Sequence, residues 1–121
     1  MSQGKNSKRY DLEERTFKFA KRCRDFINRL PKTTTNIEYG KQLAKSSGSQ
    51  AANYIEANES LSKKDFNHRI KICRKEAKES RLWVRLCDIS NFSNLKEEQD
   101  ELIKEAEELT KIFGSIVEKS K

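Results

Sequence analysis

Three sets of side chains in this sequence have the types that chemistry uses. Asn53, Glu56, Lys75, Glu76 and Glu79 form a carboxylate–amine set, and paired carboxylates beside a lysine are the material of general acid–base work. Cys23, Cys73 and Cys87, with His68, are of metal-ligand type. Two stripes of cations complete the picture: Arg15, Lys18, Arg22 and Arg29, then Lys64, Lys71, Lys75, Lys78 and Arg85 with His68 beside them. Such stripes meet phosphates, because each neutralised phosphate releases counterions.

The first two sets fall short of a reaction. No nucleophile, metal cluster or cofactor loop accompanies the carboxylates, so Asn53, Glu56, Glu76 and Glu79 read as a polar network that fixes helix register or joins subunits. The thiols are odd in number, no CxxC occurs and His68 is the only histidine, so no metal site is expected. Cys73 and Cys87, fourteen residues apart on one expected helix, are separated by about 21 Å, too far for a disulfide. Core thiols of a reducing compartment are the reading. No catalytic residue, cofactor or metal is expected.

The cations carry a weaker but positive signal. Residues 1–45 hold 12 basic and 5 acidic side chains, residues 46–90 hold 9 and 6, and residues 91–121 hold 5 and 8. The excess that makes the chain +7 is therefore concentrated towards its start. A polyanion met at about four phosphates would lose affinity with salt at a log–log slope of roughly 3–4. The same residues also suit plain solvated helix faces. No aromatic RNA-recognition motif, Gly-rich phosphate loop or basic zipper narrows the choice.

These side chains must be positioned by helices. One proline and four glycines in 121 residues leave long helices barely interrupted, and no alternating β-branched run suggests a strand. The pattern predicts four helices, at about 11–30, 37–59, 63–89 and 95–118, after flexible residues 1–9. Asp11, Asn36, Ser62 and Asn94 stand as their cap residues.

Four apolar stripes follow at 100° per residue. They are Leu12, Thr16, Phe19, Ala20, Cys23, Ile27 and Leu30; then the small-residue stripe Gly40, Leu43, Ala44, Ser47, Ala51, Tyr54 and Ile55. The third is Phe66, Ile70, Cys73, Ala77, Ser80, Val84 and Cys87; the last is Leu95, Gln99, Leu102, Ala106, Leu109, Phe113 and Ile116. Short connections between long helices favour antiparallel neighbours, hence one all-α, up-down four-helix bundle domain over residues 1–121.

Phe17 lies off the first stripe, and Ile103, Ile112 and Val117 widen the last beyond what a surface helix needs. Such excess marks either a subunit interface or a bundle that wraps these residues itself. Trp83, at the edge of the third stripe, suits packing better than base stacking. No run of about 18 apolar residues occurs, and the start MSQGKNSKRY has no secretory h-region, so a cytoplasmic location is expected.

Specific text also appears: Tyr10-Asp11-Leu12, Ser46-Ser47, then Ala52-Asn53-Tyr54-Ile55-Glu56-Ala57. Ser62-Lys63-Lys64-Asp65-Phe66 and Lys75-Glu76-Ala77-Lys78-Glu79-Ser80 follow, with Trp83. In order and spacing, the run from Tyr10 to Leu86 resembles the four-helix bundle proteins named after the intervening sequences of bacterial 23S ribosomal RNA genes. That family includes the accessory variability determinants of diversity-generating retroelements. Val84-Arg85-Leu86 departs from the leucines common after the tryptophan, and the fourth helix matches only in pattern.

The resemblance implies a cytoplasmic, non-enzymatic bundle assembling into a ring, commonly a homopentamer. For retroelement accessory members it implies a basic ring that binds RNA or DNA and a reverse transcriptase. It carries over no catalytic residues. The alternative expectation is a protein–protein scaffold with no nucleic-acid contact.

Overall fold

The computed structural model of the chain describes the backbone of residues 3–120 and the side chains of residues 12–120 except Ser93. It contains α1 (Gln3–Arg29), α2 (Thr34–Asn58), α3 (Lys63–Leu86) and α4 (Ser93–Lys119), and no strand among the described residues. α1 packs on α2, α2 on α3, α3 on α4 and α4 back on α1, while the diagonal backbones stay apart and meet only through core side chains such as Tyr54 of α2 and Phe113 of α4, with ring centroids 6.1 Å apart. The connections are too short for anything but antiparallel neighbours. Cross-helix partners give the register: Ser46 lies opposite Ser80 and Asn53 opposite Arg69, while Arg15 meets Glu105 and Arg22 meets Glu98. All-α architecture and four helices match the expectation.

The helix ends differ from it in instructive ways. α1 holds helical backbone from Gln3, so it overlaps the segment 1–9 expected to be flexible and takes Asp11 into its interior. It stops at Arg29, before Pro31, which lacks the N–H a continuing helix would use. Thr33, not Asn36, caps α2, accepting from the Asn36 N–H at 3.2 Å. Asn36 is instead buried as a clasp. Its Nδ2 donates to Pro31 O at 2.9 Å and Asp88 O at 2.8 Å, and its Oδ1 accepts from Asp88 N at 2.8 Å.

Ser62 caps α3 as expected, accepting from Asp65 N at 3.0 Å. α3 ends at Leu86, earlier than expected, with Cys87 extended and Ser90 at φ 54° turning the chain. Gln99 of α4 satisfies carbonyls at that end, its Nε2 donating to Val84 O and Cys87 O, each at 3.0 Å. α4 begins after Phe92 with no side-chain cap bond, which places Asn94 inside the helix.

The core lies on the central axis, with Phe19, Phe26, Leu43, Ile70, Leu95, Leu102, Leu109 and Phe113 almost wholly buried. Each contributes about 1.5–3 kcal/mol by leaving water. The expected stripes of α3 and α4 hold, with Phe66 and Ile116 partly buried against the core. α1 adds Phe26 to its stripe.

α2 is rotated from its expected stripe. It buries the expected Gly40, Leu43, Ser47 and Tyr54, adds Ser46 and Gln50, and leaves Ala44 and Ile55 exposed. Hydrogen bonds account for the rotation. Gln50 Nε2 donates to Thr16 O at 2.9 Å and Ser47 O at 3.0 Å, and the Ser46 and Ser80 hydroxyls lie 2.8 Å apart. The two hydroxyls and the Gln50 Nε2 thus keep hydrogen-bond partners in the core, while the buried Gln50 Oε1 has none among the described residues. Val117, expected as a possible interface residue, is a core residue at 5% exposure, because α4 turns it inward beside Phe113.

Candidate nucleic-acid interface

α3 supplies a cation stripe that has no ion pair among the described residues. Lys64, Lys71, Lys78 and Arg85 follow one another at seven-residue intervals, which on a helix is a step of about 10.5 Å along one face. All four are exposed and make no ion pair among the described residues, and Lys75 and His68 are exposed beside them. Arg74 and Arg81, nearer α4, are differently used. The Arg74 side chain lies over Gly114, 3.8 Å from where a Cβ would stand, and Arg81 Nε donates to Glu107 Oε2 at 2.7 Å. The groove beside them, about 350 Å³, is lined by Lys78, Arg81, Glu107, Thr110 and Lys111.

The expected stripe on α1 is arranged otherwise. Arg15 donates from Nε and Nη2 to the two carboxylate oxygens of Glu105 at 2.7 and 2.8 Å. Arg22 does the same with Glu98 at 3.2 and 2.9 Å. The Glu105 hydrogen bond raises the Arg15 guanidinium above its usual range, against the opposing effect of burial, and Glu98 acts likewise on Arg22. Lys18 and Arg29 are exposed without partners among the described residues. Lys18 borders a groove of about 440 Å³ between α1 and α4, with Glu14, Phe19 and Glu105 on its walls.

Because α1 and α3 occupy one diagonal of the bundle, their cations do not form one surface. Between them on one side stands α4, with eight acidic and four basic side chains in its sequence. Its outer Glu97, Asp100, Glu101 and Glu108 are all exposed.

The carboxylate–amine set does not assemble. Asn53 Nδ2 donates to Ser49 O at 2.9 Å and Ser49 Oγ at 3.1 Å, and Asn53 Oδ1 accepts from Arg69 Nη1 at 3.0 Å. Arg69 was missed in the sequence because nothing local marks a partner sixteen residues away. The carboxylates of Glu56, Glu76 and Glu79 make no hydrogen bond or ion pair among the described residues; Glu76 takes part only through its backbone carbonyl, bonded by Ser80 at 2.9 Å.

Trp83 stacks on Tyr39 with centroids 6.0 Å apart, both rings being partly buried against the core. The three cysteines are free and buried, and no grouping of three metal-ligand residues occurs among the described residues.

Of the expected interface residues, Phe17 is 53% exposed, while Ile103 and Ile112 are half-buried against the core. The rotation of α2 adds two residues that the pattern hid, Ile37 and Ile55, at 47% and 51% exposure. No described helix is long and apolar enough to cross a membrane.

Together these features define a class: an antiparallel four-helix bundle with one unpaired basic helix face and no assembled catalytic cluster among its described residues. The chain belongs to the 23S rRNA-intervening sequence protein family, whose sequence pattern matches residues 8–115. It is similar to a crystal structure of a protein of unknown function from the S23 ribosomal protein family of Bacteroides thetaiotaomicron VPI-5482. The two share 25% identity and a TM-score of 0.79, over 92% of this chain and 98% of that one. No curated protein matches the sequence.

Proposed function

We propose that this chain is a non-enzymatic, cytoplasmic bundle that self-associates and binds nucleic acid through the outer face of α3. The observation that carries the reading is the run Lys64, Lys71, Lys78 and Arg85, four exposed cations in register on one rigid helix with no carboxylate partner among the described residues. An unpaired cation can meet a phosphate without first losing a bond, whereas a paired one must exchange it. RNA and DNA are both within this chemistry, and a nucleic-acid enzyme such as a reverse transcriptase fits as a protein partner sharing the same strand. Repetition of one face around a ring would add avidity without new contacts.

Fluorescence anisotropy with short RNA, single-stranded DNA and duplex DNA tests the reading. Binding should weaken with salt at a log–log slope of roughly 3–4, and Lys64→Glu/Lys71→Glu/Lys78→Glu should reduce it to about 1 or abolish binding. Undetectable binding at low salt would leave the second reading, a protein scaffold. The observation favouring that reading is the exposure of Phe17, Ile37 and Ile55.

A further inference from the structure

Arg15 and Arg22 are seven residues apart on α1, and Glu98 and Glu105 are seven apart on α4. The helices run antiparallel, so both pairs close at once, each as a two-bond fork. A guanidinium takes two phosphate oxygens with the same planar fork that it offers to a carboxylate. α4 therefore presents to α1 two carboxylates about 10.5 Å apart along the helix, each held by the fork that a guanidinium would offer a phosphate.

The two seams of α4 are unequal. Arg15 and Arg22 each keep 39% of their side-chain exposure, and Glu105 and Glu98 keep 19% and 26%. Ion pairs this open to water exchange readily. Their carboxylates are nonetheless tethered, which gives them a high effective concentration over any free anion. A polyanion that took both arginines would strand two partly buried carboxylates, with Glu101 and Glu108 adding like charge on the same helix. On the other side Glu107 pairs with Arg81 and borders the groove beside Lys78, while Lys64, Lys71, Lys78 and Arg85 make no ion pair among the described residues.

We infer that Glu98 and Glu105 are an internal substitute for phosphate, which holds Arg15 and Arg22 as a latent second phosphate-binding site and confines nucleic acid to α3. The inference rests on the nucleic-acid reading above and adds its regulation. The latch opens when those carboxylates are neutralised or drawn away from α1. The α1 arginines are then the reserve, and the α3 cations the standing site.

Glu98→Gln/Glu105→Gln tests it, with Glu97→Gln/Asp100→Asn as a control that changes the charge equally but leaves both forks intact. The latch variant should bind RNA or DNA about tenfold more tightly at low salt, with a slope steeper by about two. Adding Arg15→Gln/Arg22→Gln should remove that gain, yet cost wild type less than about threefold. If the double variant loses its cooperative thermal unfolding, Glu105→Gln alone should steepen the slope by about one.

An equal gain in the control, or an equal loss from the arginine changes in both backgrounds, overturns the latch. Wild-type binding through α3 with no gain in the variant overturns the latch alone. Binding by the variant and not by wild type supports the latch and removes α3 as the standing site. Silence from both removes the two proposals together.

Discussion

Burial pushes the Cys23 and Cys73 thiols up to about 12 and the Cys87 thiol up to about 11, desolvation being the largest cause at each. The Ser47 hydrogen bond at Cys23 works the other way and is outweighed. In the unfolded chain these thiols ionise near pH 8.5–9. The folded-state values are raised, so the stabilisation is complete below about pH 9. It is lost as pH climbs towards 11–12, because only the unfolded state releases protons there. Urea unfolding at pH 10 should show a stability lower than at pH 8 by about 1–2 kcal/mol per thiol. Native protein at pH 8 should react slowly with a thiol reagent; rapid labelling of all three would contradict their burial. That the thiols are core groups was legible from their positions on the apolar stripes. Asn36 was not, because a cap and a clasp have the same residue type, and only a partner fifty-two residues away separates them.

At the scale of the helices, two glycines of α2 report on opposite surfaces. A Cβ on Gly40 would stand 3.0 Å from Ile27 Cγ2, where α1 and α2 approach closely, whereas one on Gly48 would meet nothing within 4 Å. Neither glycine has a positive φ, so backbone conformation does not require them. Gly48→Ala should therefore stabilise the bundle by about 0.5–1 kcal/mol through helix propensity. Gly40→Ala should instead destabilise it by about 1 kcal/mol or more, since crowding Ile27 outweighs that gain. Denaturant midpoints at constant slope read both, and opposite signs are the expected result. α3 and α4 were legible as amphipathic helices because their buried positions are mostly apolar and evenly spaced. α2 was misread by part of a turn, because its inner face includes Ser46 and Gln50 beside the expected Ser47, and hydropathy counts both as outside.

For the molecule as a whole, charge is segregated by helix, whereas apolar exposure is shared among Phe17 of α1, Ile37 and Ile55 of α2, and Leu82 and Leu86 of α3. α3 carries nine basic and three acidic side chains, α4 four and eight, and α2 two of each. The register that sets Ile27 against Gly40 and Thr16 against Gln50 brings Phe17 level with the turn of α2 that exposes Gly48 and Ala52, between Ile37 and Ile55 along the helix. Exposed aromatic and aliphatic side chains on a low-charge face suit a protein surface more than water. Light scattering should accordingly give a mass several times the 14.2 kDa of one chain, and Phe17→Asp/Ile55→Asp should reduce it towards that value. A wild-type protein that already runs as single chains would remove self-association from the proposal.

Local sequence alone determined the helix content, the Ser62 cap, the stop at Pro31 and the core faces of α3 and α4, because these depend on residues within a turn or two of one another. Tertiary structure decided which cations are free. Arg15 and Lys78 look alike along the chain, but one meets a carboxylate ninety residues away and the other meets none among the described residues. It also decided that α2 turns Ile37 and Ile55 outward, since hydrogen bonds formed across helices made its polar side the better one to bury.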